Sequence, residues 1–573
     1  VNVADWRPRL AARLGDPWIA LGVLGALLAL TVLFIHEPAS VWAGNVAEFH
    51  FRFNSFLRVG VTAILVGLAA AFLILTALPA KPRRLVASGT AAVGLIWWAY
   101  GEFLVTGMTV LNGQGAPMSF DTGLGATELV LVAVAGAIAI VGILKLRRLA
   151  MVGLVVLNIA LVATSAATVH AVRRKPLKAP LALRDESIFR FSPTSNVLVI
   201  LLDSLQADIA DAVFRTTPEV KQALEGFQYY RDTMSSAPTT FLSMPSIHSG
   251  AAYQTDESLL AYFTDAILRR SFISRFADAG YDTTLVNPIE GMCPDRVTTC
   301  ISTAAIVRSR EALWRIESLR LLDLSLFRVA PVWVKRHIYN DGRWLLSGRV
   351  LRADAADPKP PNETFDDDQV LEGIRLFEEV ARRFSLNDGT PTFKFLHSFA
   401  THPPYVLDRQ CAVGESSLDS VTPQTRCALL GVVTLLNRLK QASIYDNATI
   451  LILADHGMNA GFFNDPPGSH EEWVHLMGSA HPLFVLKRPG ARGALREVSD
   501  QVYLPDVGAT LCAASGACTT PLGIPAGQAS AERPRRFYDY DWKHEYWKLR
   551  TIPNTTAYEV RGPLWRVESW LRR

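Results

Sequence analysis

Five long apolar runs crowd the first 171 residues, at 17–35, 59–79, 85–108, 124–144 and 149–169. Each approaches the ~20 residues that carry a helix across ~30 Å of hydrocarbon. Core helices of a soluble domain do not come as five such runs joined by short basic or glycine-rich links. Residues 1–171 are therefore expected to form an N-terminal five-helix transmembrane bundle. The third run is the weakest, because Glu102 lies near its end. The first run resembles an export signal in length. It shows no clear small-residue cleavage pattern and four more runs follow, so it reads as a retained helix.

Basic residues orient the bundle. Arg7, Arg9 and Arg13 precede the first run, Lys81, Arg83 and Arg84 lie between the second and third, and Lys145, Arg147 and Arg148 lie between the fourth and fifth. These clusters share one side if the helices alternate, which places the N-terminus in the cytoplasm. Five crossings then put everything after residue 171 outside. Arg173, Arg174 and Lys175 run counter to the rule and read as contacts to lipid headgroups. Cysteine usage agrees with export. All six cysteines lie beyond the apolar region and fall as local pairs: Cys293 with Cys300, Cys411 with Cys427, and Cys512 with Cys518. Close pairs suggest three disulfides and an oxidising compartment. The net charge of +4 carries no nucleic-acid footprint.

At 573 residues the chain exceeds one ordinary domain. Residues 172–194 read as a linker and 195–573 as an extracytoplasmic catalytic domain. Asn196–Leu202 is a continuous apolar run of the kind buried on both faces of a parallel sheet. Similar runs recur at Thr283–Val286, Thr392–Phe399, Ala448–Ala454 and Pro482–Leu486, with helical patterns at 366–384 and 426–442. Strands alternating with helices predict an α/β domain, a mostly parallel sheet with helices on both faces. Ligands gather at the carboxyl ends of such strands. Asp203, His397 and Asp455 stand at or near three of those ends. Residues 305–340 mix Trp314, Leu319, Leu321, Leu322 and Trp333 with Arg308, Arg310, Arg315, Arg320 and Arg328. This segment is either an amphipathic helix in a membrane interface or an ordinary helix packed on the domain.

Four short patterns carry chemistry. Ala454-Asp455-His456-Gly457 follows a buried strand, and an adjacent carboxylate and imidazole can turn toward one cation; a turn or a cap is the bland alternative. Asp203 ends the first strand; a buried apolar run rarely ends in a carboxylate without reason, and capping the next helix is the alternative. Thr239 and Thr240 begin a hydroxyl-rich stretch through Ser243, Pro245, Ser246 and His248, a plain loop if read alone. Such a hydroxyl becomes a useful nucleophile when a metal or base activates it. His397 and His402 follow a strand and are placed to hold a second metal or the oxygens of a phosphate.

Taken in this order, the four patterns resemble the alkaline-phosphatase/sulfatase superfamily. The likeness is greater to its membrane-anchored phosphoethanolamine transferases and the phosphoglycerol-transferase (lipoteichoic-acid-synthase-like) group. It extends over nearly the whole chain. Asp203 falls on the family's acidic metal ligand, and Thr240 on its nucleophile with Ser243 and Pro245 kept. Asp455 and His456 fall on the paired metal ligands. His397 and His402 keep the spacing of the family's two histidines, with His402 near the transferred phosphate. His470 matches the last family histidine by spacing, with His475 the other choice. Three departures stand out: Asp203 where the transferases carry Glu, Gln206 where sulfatases carry Arg, and Met458 where transferases often carry Glu. A type I sulfatase needs Cys or Ser in a Cys-x-Pro-Ser-Arg motif; Thr240 stands there and the Arg is absent, so sulfatase activity is not expected.

The resemblance implies a metal-dependent enzyme of a bacterial inner membrane, multi-pass, with an extracytoplasmic catalytic domain. It implies a divalent cofactor, zinc by donor type with manganese or magnesium as alternatives. It also implies a phosphoethanolamine- or phosphoglycerol-type headgroup passed from a membrane phospholipid donor to an envelope glycan or lipid acceptor through a phospho-threonine. A membrane-tethered phosphodiesterase of the same superfamily is the alternative, in which water replaces the acceptor. A non-catalytic membrane protein is a further one, and only Glu102 hints at the charged intramembrane site it would need.

Overall fold

A computed structural model describes residues 15–573 except 47–48, 50, 104–121, 176–185, 255, 290–291, 308–309, 340–343, 348–364, 415, 459–472, 519–522, 531, 544–545 and 548. The chain divides into two compact units. One comprises Val1–Leu181 with Arg310–Lys359, and the other Ala182–Ser309 with Pro360–Arg573. Residues 310–359 thus join the helical unit, although they lie inside the range 195–573 read from sequence as the catalytic domain.

In the helical unit the first helix, Pro17–Thr31, starts with Asp16 accepting a hydrogen bond from the Trp18 amide. It runs through a π-helical turn, Val32–His36, into Glu37–Gly44. Helices Phe53–Ala77, Ala80–Phe103, Thr122–Lys145 and Arg147–Ala171 follow. Among the described residues four helices, not the expected five, are long and apolar enough to cross a membrane: Pro17–Gly44, Phe53–Ala77, Thr127–Lys145 and Arg147–Ala171. The third run does form a helix, but Ser88, Gly89, Thr90, Tyr100 and Glu102 dilute its apolarity. With four spans, the parity step that placed everything after residue 171 outside no longer holds.

Small residues explain why Ala80–Phe103 still packs in this unit. A Cβ on Gly25 would stand 2.5 Å from the Ala91 Cα, and one on Gly22 would meet Leu75 and Ala87. Such positions let helix backbones approach closely. Several of the polar groups inside are paired. His36 bonds to Glu102 and, through Nδ1, to the Ser165 hydroxyl at 3.0 Å. Glu37, 1% exposed, lies 2.8 Å from the Arg328 guanidinium. The Trp- and Leu-rich segment becomes helix Arg310–Val329 and packs within this unit. Leu321 and Leu322 lie in a cluster with Trp42, Phe49, Phe53 and Phe56.

The second unit is built on an eight-stranded sheet. Its strands in chain order are β1 (Asn196–Leu202), β2 (Phe227–Tyr230), β3 (Asp282–Asn287), β4 (Thr299–Ser302), β5 (Thr392–Ser398), β6 (Ala448–Leu453), β7 (Phe484–Lys487) and β8 (Arg496–Val498). Their spatial order is β8-β2-β7-β6-β1-β5-β3-β4. The sheet is mixed: β7 runs antiparallel to both β6 and β2, and the other pairs are parallel. All seven β1 residues are buried, as are all of β5 and β6, which accounts for the nearly continuous apolar character of β1 and β6; β5 also buries Lys394, His397 and Ser398, each with a hydrogen-bond partner. Phe365–Arg382 and Val421–Gln441 form the two long helices expected near 366–384 and 426–442.

The register positions the site. Leu201 pairs with His397 on β5 and with Leu453 on β6. The residues that end these three adjacent parallel strands therefore emerge side by side. The three disulfides join Cys293 to Cys300, Cys411 to Cys427 and Cys512 to Cys518, the local pairing expected from sequence. A separate three-stranded antiparallel sheet near the chain end, Arg535–Asp539, Thr556–Val560 and Trp570–Arg572, was not anticipated.

Candidate active site

Asp203 and Asp455 lie at the carboxyl ends of β1 and β6, both fully buried. The turn after β1 is tight. Ser204 takes a left-handed conformation at φ 60° and sends its amide 3.1 Å to Asp455 Oδ1, while its hydroxyl donates to Asp203 Oδ1 at 2.9 Å. The Thr401 hydroxyl donates to the Asp203 carbonyl at 2.8 Å. The His456 Nδ1 lies 2.7 Å from the Gly457 carbonyl, so Nδ1 carries the proton and Nε2 presents its lone pair. A Cβ on Gly457 would stand 2.0 Å from the Gly478 carbonyl oxygen, so this loop needs glycine.

The hydroxyl-rich stretch is not a loop. Residues Thr240–Ser249 form a helix that closes on Gly250 at φ 75°. Thr239, extended at φ −139°, occupies the N-cap, and Ser243 donates back to its carbonyl. Thr240 is the first helical residue and is 7% exposed. Its hydroxyl donates to Asp203 Oδ2 at 3.2 Å and lies 3.3 Å from His456 Nε2. The positive end of the helix dipole favours negative charge at this oxygen.

Charge is unevenly held. Burial pushes the Asp203 carboxyl up, but the His397 hydrogen bond and the electrostatic pull of His402, His397 and His456 outweigh it and hold Asp203 well below the usual carboxylate range. Burial and then the charge of Asp203 push Asp455 up. Two buried carboxylates side by side favour a cation between them. Donor atoms of Asp203, Asp455 and His456 all lie within 4.8 Å of one another. Asp455 Oδ2 is buried without a hydrogen-bond partner among the described residues. One imidazole nitrogen and two carboxylates, with this open lone pair, fit a divalent metal.

The remaining histidines divide. His397 on β5 points Nε2 at Asp203 Oδ2, 2.9 Å away. His402 brings Nε2 to 4.0 Å from Asp203 Oδ1 and keeps a side chain 41% exposed, at the edge of the site. His470 lies outside the described residues. His475 sits exposed on helix Val474–Ser479, and His481 is buried with Nε2 2.7 Å from the Arg231 carbonyl. Two of the three departures noted from sequence meet each other: the Met458 amide donates to Gln206 Oε1 at 3.2 Å. Sequence reading missed Ser204, Thr401 and Tyr405. The Tyr405 hydroxyl is buried without a partner among the described residues, and burial and the nearby Asp203 charge push it up. Only the His402-to-Tyr405 spacing on one loop could have pointed to it.

The sulfatase family profile matches residues 195–505, more than half of the chain. The chain belongs to the sulfatase family. Solved structures similar to this sulfatase-family protein include the lipoteichoic acid synthase LtaP from Listeria monocytogenes, at 10% identity over 66% of this chain and 85% of that one, TM-score 0.37. Others are the phosphonate monoester hydrolase of Agrobacterium radiobacter, at 17% over 64% and 86%, TM-score 0.39, and an alkaline phosphatase superfamily protein from Vibrio parahaemolyticus, at 12% over 65% and 81%, TM-score 0.38. No curated protein sequence matches the chain.

Proposed function

We propose that this protein transfers a phospho-linked headgroup, of the phosphoethanolamine or phosphoglycerol type, from a membrane phospholipid to an envelope glycan or lipid. The carrying observation is the Thr240 hydroxyl at a helix N-terminus, 3.2 Å from Asp203 Oδ2 and 3.3 Å from His456 Nε2. Asp203, Asp455, His456 and the Thr240 oxygen would hold the divalent cation, zinc by donor type or else manganese or magnesium. When bound, it lowers the Thr240 pKa and offsets charge on phosphoryl oxygens.

Thr240 Oγ attacks the donor phosphorus in line, and the bond from phosphorus to the lipid alcohol breaks. Asp203 orients the Thr240 proton before attack. His402 Nε2, at the exposed edge, steadies the phosphate oxygens, and His397 keeps Asp203 turned toward Thr240. The diacylglycerol leaves and a phospho-threonine remains. An acceptor hydroxyl then displaces Thr240 in a second step of the same geometry. Thr240 cannot become the formylglycine of a type I sulfatase, which favours phosphate over sulfate.

Three disulfides in the second unit support an oxidising, extracytoplasmic compartment for it, and the four apolar helices support anchoring in a bacterial inner membrane. Purified protein given labelled phospholipid should yield a labelled Thr240 peptide, and Thr240→Ala should not. Unchanged turnover in Thr240→Ala would sink the mechanism. An adduct that discharges only to water identifies the phosphodiesterase alternative instead.

A further inference from the structure

Beyond residues 195–505 the chain returns to the nucleophile helix. The Tyr538 amide donates to the Ser236 carbonyl at 2.9 Å. The Tyr540 hydroxyl bonds to the Thr239 hydroxyl. The Trp542 ring stacks on Phe241 with centroids 4.1 Å apart and planes 23° off parallel, and Trp547 meets Phe241 edge-on at 5.4 Å. Thr239 and Phe241 are the immediate neighbours of Thr240, so the nucleophile is gripped on both sides by one distant segment. Tyr540 is 5% exposed and lies in a cluster with Ala237, Leu242, Tyr253 and Tyr262, which gives the grip a rigid base.

Thr239 behaves unusually for its position. A threonine at an N-cap ordinarily accepts from an amide of the first turn. Thr239 makes no such side-chain bond; its hydroxyl is committed to Tyr540 instead. The cap interaction has been given up for a long-range tie, 301 residues apart in sequence. Displacement reactions depend steeply on the alignment of the attacking atom. The Ser243 amide and hydroxyl hold the Thr239 carbonyl from within the helix, at 3.1 and 2.8 Å, and the tie to Tyr540 adds a fixed point from outside it.

We propose that Tyr538, Tyr540, Trp542 and Trp547 form a clamp that sets the reactive geometry of Thr240, with Tyr540 as its positioning residue and Trp542 as its second jaw. The proposal rests on Thr240 being the nucleophile. Its test uses the full chain in detergent with bis(p-nitrophenyl) phosphate and added zinc. Tyr540→Phe removes one hydroxyl and keeps the ring. It should lower kcat about tenfold with KM and Tm unchanged. Thr239→Val should match it, and the double variant should be no slower than either single one. Trp542→Phe should keep turnover where Trp542→Leu loses it.

Wild-type kcat in Tyr540→Phe overturns the clamp, as do additive losses in the double variant or a loss that vanishes once corrected for the folded fraction. Thr240→Ala separates the two ideas. If it turns over normally, the nucleophile assignment fails. If it is inactive while Tyr540→Phe is unaffected, only the clamp fails.

Discussion

Gly457→Ala tests how tightly the Asp455-His456 loop is held. The added methyl carbon would stand 2.0 Å from the Gly478 carbonyl oxygen and 3.1 Å from both the Gly478 carbonyl carbon and the His481 carbonyl oxygen. All three are backbone atoms, so no side chain can rotate away. Relief requires the loop to retreat by roughly 1 Å or more to reach ordinary contact. The Gly457 amide, however, donates to the Ser479 carbonyl at 2.8 Å, and that bond would stretch. Overpacking of about 1–3 kcal/mol plus a weakened hydrogen bond of ~1 kcal/mol gives a loss of roughly 2–4 kcal/mol. A shift of ~1 Å at His456 should also cost about 100-fold in turnover. Urea unfolding followed by tryptophan fluorescence reads the first, and zinc calorimetry with phosphodiester turnover reads the second. A Gly457→Ala protein equal to wild type in stability, zinc affinity and turnover would refute the geometric reasoning.

Three further predictions follow from burial and pairing. His248 is held down to about 3 by burial and by His397, whereas an unfolded imidazole titrates near ~6.5. Between those values the unfolded chain binds a proton that the folded one does not, so stability present above ~6.5 is lost as pH falls toward 3. His248→Asn should flatten that acid-side loss, read as denaturant midpoints at successive pH values. Arg535 pairs with Asp232 at 2.9 Å, and both are nearly inaccessible. Arg535→Met leaves a buried carboxylate and should cost about 3–5 kcal/mol, with Asp232→Asn in the same chain recovering part of it in urea melts. Cys411 and Cys427 close a loop of 16 residues. Replacing both with Ser should destabilise by ~3 kcal/mol, measured against wild type under non-reducing conditions.

Much of the fold was legible because burial leaves a mark in one dimension. The β1 run Asn196–Leu202 was read to the residue, and β5 and β6 to within one, since strands covered on both faces are rich in apolar residues even where, as in β5, a few buried polar groups interrupt them. Strands β2, β4 and β8 were missed: Phe227–Tyr230 alternates weakly, and Arg496–Val498 is largely exposed. The third apolar run was overread as a crossing, because Ser88, Gly89, Thr90, Tyr100 and Glu102 dilute the apolarity of Ala80–Phe103. The fate of residues 305–340 was open to two readings, since an amphipathic pattern states that one face is covered but not by what.

At the site, strand-end carboxylates and a strand-end histidine pair drew notice to Asp203, His397, His402, Asp455 and His456, and the superfamily resemblance carried by the order of the four patterns added Thr240, a plain loop residue when read alone. Sequence did not decide that Thr240 begins a helix, that His397 serves Asp203, that Ser204 ties the two carboxylates together, or that Tyr540 and Trp542 reach the nucleophile's neighbours. Those facts depend on contacts between residues far apart in the chain, up to 301 positions for Thr239 and Tyr540. A residue's chemistry is written in its own side chain. Which atom it faces is set by the register of three parallel strands and by the packing around them, and only the folded chain fixes both.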